Sequence, residues 1–247
     1  MRKTLLKLRR SLLKAIVPEF VWPREVDVDG VIVKLRGAPY SFSIKRMLAN
    51  DSNAYERAER SFLKALKLDD HVLEYGSSIG ILTALICERV ANGKVVSVEA
   101  SRLLLDYSRT WLSRYQHLTL INAAAFPVYE RLDLQISFDD SSGSLGGTID
   151  YKENSDWSPK LPSFFIRDCE NIADFKPTIM IIDIEGSEDI LLREEMNLPT
   201  SIDRIILELH SFIYGKEVEK KIIAIVESQG FELKDRAESV HFFERKV

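Results

Sequence analysis

Apolar residues recur along this chain with two different periods, and these periods predict its regular structure. From residue 71 onward, short apolar runs predict strands at 71–75, 94–99, 118–122, 178–184 and 203–209. Helical spacing between these runs predicts helices at 79–90, 101–115, 187–196 and 216–229. Because strands alternate with helices of this length, the pattern is typical of an α/β fold with a parallel sheet covered by helices on both faces.

Two further segments predict antiparallel hairpins. Residues 230–231 and 240–244 have the composition of strands with only a few polar residues between them, so we expect a hairpin at the edge of the sheet. Nearer the N-terminus, residues 26–35 alternate around Asp29-Gly30, a dipeptide typical of a tight hairpin turn.

One more helix is predicted just before the alternating region. It would begin near Asn53, where Asn53 and Glu56 could form a capping pair. Its core face would carry the apolar residues Tyr55, Phe62, Leu63 and Leu66. We therefore expect an N-terminal extension over residues 1–52 and a main domain over residues 53–247.

The alternation is interrupted by an insertion at residues 127–177. Within it, residues 131–138 alternate as a strand does, and residues 139–147 are rich in the turn formers Asp, Ser and Gly. Long insertions of this kind often cover active sites.

The first seventeen residues form a basic amphipathic pattern. Leucines and other apolar residues share one helical face, and the opposite face carries Lys3, Lys7, Arg10 and Lys14. Such a helix could lie on an anionic membrane or dock onto a partner protein. Packing against its own domain is an equally good interpretation, because amphipathicity does not identify the surface that a helix meets.

The distribution of charge and the number of cysteines exclude several classes of protein. Residues 1–17 hold six basic residues and no acid, so the remainder carries a net charge of about −10, against −4 for the whole chain. This charge argues against a nucleic-acid-binding surface. Cys87 and Cys169 are the only two cysteines, which suits a reducing cytoplasm and supports neither a disulfide framework nor a zinc cluster. No apolar run is long enough to cross a membrane.

The loop after the strand at 71–75 has the composition of a ligand-binding turn. Gly76 allows a tight turn, Gly80 allows the next helix to approach closely, and Ser77 and Ser78 add small polar groups at the start of that helix. The glycine spacing differs from the G-x-G-x-x-G dinucleotide motif, and the Gly-Lys pair of a P-loop is absent. This pattern favours a ligand without a pyrophosphate.

Acids stand where two other strands end. Glu99 ends the strand at 94–99, where a carboxylate can bind both hydroxyls of a ribose, although it could equally be a charge at a helix start. Asp183, Glu185 and Glu188 follow the apolar run at 178–182. A buried strand cannot hold such charges, so we expect them at its carboxyl end, where ligands bind in open α/β sheets. For Glu188, a favourable charge in the first helical turn is the preferred interpretation.

These motifs resemble a known family. E-x-G-x-x-x-G at 74–80, the acid at 99 and the terminal hairpin resemble class I S-adenosylmethionine-dependent methyltransferases. IIDIEGSE at 181–188 and IILELH at 205–210 are similar to the FkbM-type family among them. The resemblance implies a seven-stranded Rossmann-like sheet and S-adenosylmethionine as cofactor. The cofactor-binding residues that it implies are Glu74, Tyr75, Gly76, Ser77, Ser78, Gly80, Glu99, Ala100, Asn122 and Ala124.

The resemblance also implies methyl transfer to oxygen, often to a hydroxyl of a sugar, glycoconjugate or natural product. Asp183 and Glu185 are two residues apart and could share one side of the strand, so either could be the general base. His210 is a further candidate base, which Glu208 could orient. A divalent cation on Asp183 and Glu185 is left open.

Two other interpretations remain. The chain could be a non-catalytic scaffold with a methyltransferase-like fold that docks through its basic N-terminal helix. In either case we expect a cytoplasmic protein, with peripheral membrane contact as an option through residues 1–17. A nicotinamide oxidoreductase is disfavoured by the glycine spacing.

Overall fold

The computed structural model describes residues 18–125, 162–193 and 197–246, together with the backbone of 137–139 and 148–150. The predicted basic helix at 1–17, most of the strand at 131–138 and most of the turn at 139–147 lie outside the described residues. The chain divides into two compact units, Met1–Tyr55 and Glu56–Val247. The sequence-based division at 52/53 into an extension and a main domain stays a prediction.

The first unit contains the predicted hairpin. Strands β1 (Glu25–Val28) and β2 (Val31–Lys34) pair antiparallel, with Val28 opposite Val31. Asp29 and Gly30 both have positive φ angles, 51° and 87°, as a tight turn between twisted strands requires. Helix α1 (Phe42–Asn50) follows and was not predicted. Ser41 caps its N-terminus, because the hydroxyl of Ser41 accepts a hydrogen bond from the amide of Ile44.

The predicted helix start at Asn53 is wrong. The carboxylate of Asp51 accepts the amide hydrogen of Asn53 and holds residues 52–54 in a 3₁₀ turn. Glu56 then adopts a left-handed conformation, with φ of 45°, which interrupts a right-handed helix. Helix α2 therefore begins only at Arg57 and ends at Phe62, with a 3₁₀ turn at Leu63–Ala65 after it.

The second unit holds the predicted alternation of strands and helices, but the helix expected at 187–196 is observed only over Glu188–Leu191. Its strands are β3 (His71–Tyr75), β4 (Lys94–Glu99), β5 (Leu118–Asn122), β6 (Ala124–Ala125), β7 (Ser137–Asp139), β8 (Thr148–Asp150), β9 (Ser163–Phe164), β10 (Ile179–Ile182), β11 (Arg204–Glu208), β12 (Phe231–Ala237) and β13 (Val240–Arg245). Its helices after α2 are α3 (Ile81–Arg89), α4 (Arg102–Leu112), α5 (Glu188–Leu191), α6 (Ser211–Tyr214) and α7 (Lys216–Ser228).

Seven of these strands form one sheet in the order β12-β13-β11-β10-β3-β4-β5. The five strands from β11 to β5 run parallel, whereas β13 pairs antiparallel with both β11 and β12. The mostly parallel seven-stranded sheet and its antiparallel C-terminal hairpin are thus confirmed. Just before the insertion, β6 pairs with β9, which lies within it, and β7 pairs with β8, so that these strands form separate two-stranded sheets.

The register brings the ends of the central strands together. Tyr75 at the end of β3 lies opposite Ile182 of β10 and Val98 of β4. All four residues of β10 are buried, so the charges that follow this strand emerge at the carboxyl edge of the sheet. Parallel strands place their carboxyl ends at one edge, which makes this edge the place for a site.

A buried ion pair lies at the opposite edge of the sheet, where the parallel strands begin. Arg204 at the start of β11 binds Asp70, just before β3, with Nη2 of the arginine 2.6 Å from Oδ1 of the aspartate. Thr178, before β10, donates its hydroxyl to the same carboxylate. Removing one partner of such a buried pair typically costs about 3–5 kcal/mol of unfolding free energy. Within the described segments, none of the helices has the length and hydropathy needed to cross a membrane.

Candidate active site

Gly76 lies where the loop after β3 touches the end of β10. Its φ is +92°, and a Cβ atom added there would lie 1.6 Å from the carbonyl oxygen of Asp183. Its amide donates a hydrogen bond of 2.9 Å to the carbonyl of Val98 in β4. Only glycine allows the loop to pass this close to the neighbouring backbone, so the predicted tight turn at Gly76 is confirmed.

Two serine side chains in this loop place their hydroxyl groups at the start of the following helix. The Oγ atoms of Ser77 and Ser78 are buried, and neither has a partner among the described residues. They precede α3, which begins after Gly80, and a Cβ on Gly80 would lie 2.6 Å from Cδ1 of Leu112. Buried polar atoms without a partner are uncommon in folded proteins, and here they stand at a helix start.

Glu99 ties the end of β4 to the same loop. Its buried carboxylate accepts the amide hydrogen of Ser78 at 2.7 Å and that of Ser101 at 2.6 Å. The side-chain amide of Asn122 donates to the carbonyls of Glu99 and Ala100. The structure therefore brings together these predicted cofactor residues from three successive parallel strands.

Three other predicted cofactor residues have their side chains inside the protein. Glu74 is 1% exposed and accepts hydrogen bonds from Thr83 and Ser97, while burial raises its pKa to about 7. Tyr75 and Ala124 are fully buried. The cofactor roles of these three positions stay predictions, and the structure shows core side chains beneath the loop.

Carboxylates and one histidine meet at the ends of β10 and β11. Nε2 of His210 lies 3.7 Å from Oδ1 of Asp183, 3.4 Å from Oε2 of Glu185 and 3.9 Å from Oε2 of Glu208. The amide of Asp183 donates to the carbonyl of Tyr75 and continues the ladder between β10 and β3. All three predicted catalytic residues, Asp183, Glu185 and His210, are therefore neighbours.

Glu188 holds the histidine in place. Its side chain is fully buried, and Oε1 lies 2.7 Å from Nδ1 of His210 and accepts the amide hydrogen of Gly186 at 3.0 Å. Glu188 does begin α5, but its carboxylate is turned inward, so it is more than a charge at a helix start. Glu208, which the sequence suggested for this task, instead accepts the hydroxyl hydrogen of Ser239.

The charges in this cluster shift each other's pKa values. Burial raises the pKa of Asp183 well above its ordinary range, and the charges of Glu208 and Glu185 add to the rise. Burial also raises the pKa of Glu185, although His210 opposes this. For His210, burial alone would lower the pKa, but the hydrogen bond and charge of Glu188 outweigh it, so the pKa rises. The cluster thus has a high affinity for protons or other cations.

Two apolar residues beside the cluster were not found by sequence reasoning. Phe212 is 81% exposed, and its ring centre lies 5.6 Å from that of His210 in an edge-to-face arrangement. The next residue, Ile213, packs against Gly186. Exposed apolar residues on a short helix carry no sequence signal that separates them from core residues, because both fit the same helical pattern.

Comparison with known proteins finds similarity only among solved structures. No family model matches the chain, and no curated protein matches its sequence. Methanococcus jannaschii fibrillarin, a pre-rRNA processing protein, is 14% identical with a TM-score of 0.48, covering 72% of this chain and 67% of that chain. Aeropyrum pernix fibrillarin, solved with natively bound S-adenosyl-L-methionine, is 14% identical with a TM-score of 0.43, covering 72% and 68%.

A third similar structure is methyltransferase FkbM from Methylobacillus flagellatus KT. It is 15% identical with a TM-score of 0.46, and the match covers 82% of this chain but only 52% of that protein. The present chain thus spans about half the length of that structure. The seven-stranded, mostly parallel sheet with flanking helices has the Rossmann-like architecture that the sequence resemblance implies. Membership of the FkbM family stays a prediction.

Proposed function

We propose that this protein is an S-adenosylmethionine-dependent O-methyltransferase. One observation carries the proposal: the loop at Gly76 and the acid at Asp183 are in backbone contact at the carboxyl edge of the sheet. A methyl donor bound on that loop would therefore lie beside the carboxylate and imidazole groups that could accept a proton. Methyl transfer from a sulfonium needs this juxtaposition of donor and base.

The loop after β3 fits the cofactor. Ser77 and Ser78 offer buried hydroxyls that no described residue hydrogen-bonds, and Glu99 orders the loop backbone from the end of β4. When bound, the cofactor would supply an electrophilic methyl group on a positively charged sulfur. Asp183 and Glu185 in their ionised forms would favour this charge, because opposite charges attract.

The neighbouring cluster fits the acceptor. The acceptor oxygen would form a bond to the methyl carbon as the sulfur–carbon bond breaks, and its proton would pass to Asp183, Glu185 or His210. A raised pKa makes Asp183 a better proton acceptor when it is ionised. Carboxylates that can hold hydroxyls are consistent with a sugar, glycoconjugate or natural product, the acceptor class that the sequence resemblance implies.

Calorimetric titration with S-adenosylhomocysteine tests the cofactor part. We expect binding of about micromolar Kd, which corresponds to about −8 kcal/mol. The variant Gly76→Arg should lose stability together with binding, since any side chain there would meet the Asp183 backbone. An absence of heat with the wild-type protein would reject the proposal.

Methyl transfer to a candidate acceptor tests the base. Asp183→Asn should still bind S-adenosylhomocysteine but lose turnover, because an amide cannot accept the proton. Asp189→Asn, in the first turn of α5, is the matched control and should keep turnover. Full turnover in Asp183→Asn would exclude Asp183 as the base.

The membrane or partner contact through residues 1–17 also stays a proposal, and so does the scaffold alternative. Deleting residues 2–17 separates them. An enzyme with an accessory anchor should keep turnover on a dissolved acceptor, whereas a scaffold should lose its binding to a partner or to anionic vesicles. A divalent cation beside Asp183 and Glu185 stays a proposal as well. The same two carboxylates are also candidate bases.

A further inference from the structure

Three side chains at the ends of β10 and β11 supply a set of metal donors. Asp183, Glu185 and His210 each offer one ligand atom, and these atoms all lie within 4.8 Å of one another. A single ion placed among them could reach all three with small side-chain adjustments, because ligand distances to such ions are about 2.0–2.2 Å. We propose that these residues form a binding site for a divalent transition-metal cation.

The histidine is oriented as a metal ligand would be. Nδ1 of His210 is engaged by Oε1 of Glu188 at 2.7 Å, so Nε2 faces Asp183 and Glu185. The side chain of His210 is 5% exposed and that of Glu188 is fully buried, so this orientation is fixed by packing. Metal-binding histidines commonly pair their second ring nitrogen with a carboxylate in this way, which fixes the ring and makes it a better ligand.

The cluster also holds more acidic groups than basic ones. The carboxylates of Asp183, Glu185, Glu188 and Glu208 all surround one imidazole, and the described residues pair none of them with a lysine or arginine. Oδ1 of Asp183 is buried and forms no hydrogen bond with the part of the chain that the structure describes, although it faces Nε2 of His210 across 3.7 Å. A buried carboxylate oxygen in this position is costly unless a cation compensates for it.

The donor types select the kind of metal. Mg²⁺ and Ca²⁺ prefer oxygen ligands alone, whereas imidazole nitrogen suits Fe²⁺, Ni²⁺, Cu²⁺ and Zn²⁺, and carboxylates also suit Mn²⁺. Two carboxylates and one imidazole therefore favour a first-row transition metal. Three protein ligands leave coordination positions open for water or for an acceptor oxygen. The acceptor part of this assignment rests on the proposed function, but binding of the ion itself does not.

Titration of the chelator-treated full chain with Mn²⁺, followed by the electron paramagnetic resonance signal of the free ion, tests the site. We expect one ion per chain, and at least about tenfold weaker binding in Asp183→Asn, Glu185→Gln and His210→Gln. Asp189→Asn removes the same charge from the neighbouring helix and should bind as the wild type does. Absence of binding at millimolar Mn²⁺, or equal binding by all variants, would overturn the proposal.

A second measurement needs no variant to fold. Pulsed resonance spectra of wild-type protein with bound Mn²⁺ should show coupling to an imidazole ¹⁴N nucleus, and absence of that coupling would overturn the assignment of His210. Calorimetry with S-adenosylhomocysteine separates the two proposals. Mn²⁺ binding without cofactor binding would leave the metal site standing and reject the methyltransferase, and the reverse result would reject only the metal site.

Discussion

Nδ1 of His210 lies 2.7 Å from Oε1 of Glu188, and both side chains are buried. The two residues are 22 positions apart, at the end of β11 and the start of α5. Their hydrogen bond sets which ring nitrogen faces Asp183 and Glu185. The chemistry at this edge of the sheet therefore depends on a residue that need not touch any substrate.

Replacing Glu188 tests this positioning. Glu188→Ala leaves the imidazole and the Gly186 amide without their buried acceptor, so the free energy of unfolding should fall by about 1–3 kcal/mol. Glu188→Gln keeps an acceptor oxygen and should lose less. Chemical denaturation measures both values, and equal stability of the wild type and Glu188→Ala would show that the hydrogen bond contributes nothing.

The hydrogen bond between Glu188 and His210 should also make the free energy of unfolding depend on pH. Glu188 raises the pKa of His210 in the folded state. Protonated His210 therefore stabilises the fold fully below the unfolded-state pKa of about 6.5, and this contribution is lost as pH rises through the folded-state pKa of His210. The stability difference between the wild type and Glu188→Gln should therefore shrink as pH rises above neutrality. Proton NMR of the His210 ring should also show a lower pKa in Glu188→Gln. An unchanged pKa would contradict the assignment.

Gly76 and Gly230 form a matched pair for the close approach of the loop. Both have φ angles near +90°, but a Cβ on Gly230 would meet only the flexible Arg245 side chain at 3.8 Å. Gly230→Ala should cost about 1–2 kcal/mol of unfolding free energy from the left-handed conformation alone. Gly76→Ala adds a clash with the Asp183 backbone and should cost about 2–4 kcal/mol or prevent folding. Similar thermal stability of the two variants would show that the loop can move away.

Replacing Ser77 should affect protein stability and cofactor affinity in opposite directions. Its buried hydroxyl has no partner among the described residues, so Ser77→Ala should leave unfolding free energy unchanged or raise it by up to about 1 kcal/mol. If the hydroxyl binds cofactor, affinity for S-adenosylhomocysteine should fall by roughly two- to tenfold. Ser108→Ala is the control: its hydroxyl donates to Leu104, and its loss should destabilise the protein. Unchanged affinity in Ser77→Ala would remove Ser77 from the site.

Because Glu59 is buried, we expect the protein to lose stability as pH rises from acidic values to about 8. It is buried on α2, and burial together with the charge of Glu208 raises its pKa to about 8. The folded state therefore keeps a proton that the unfolded state releases, and unfolding free energy should fall between about pH 4.5 and 8. Glu59→Gln should reduce this slope, while the exposed Glu170→Gln should not. Denaturation curves across this range measure the effect, and parallel slopes for wild type and Glu59→Gln would contradict it.

Sequence reasoning succeeded where local pattern and final environment agree. The runs at 71–75 and 94–99 are apolar enough to be buried strands whatever surrounds them, and the structure places largely buried strands there. The run at 118–122 also forms a strand, but a half-buried one at the edge of the sheet. It failed at Asn53, because a competing local hydrogen bond from Asp51 and the left-handed Glu56 displaced the predicted start. The same local sequence is compatible with a helix start at Asn53 and with the observed 3₁₀ turn, so residue spacing alone could not distinguish the two.

The sequence by itself determined the order of strands and helices, the glycine that the loop requires and the position of Asp183 and Glu185 after a buried strand. These features follow from local periodicity and from the cost of burying charge. Only the tertiary structure decided that Glu188 points inward to His210, that Glu99 binds the loop amides and that Glu74 lies in the core. Partners far apart in the chain meet only through packing of the sheet and its helices, and that packing decides which carboxylates stay buried and which charge compensates for them.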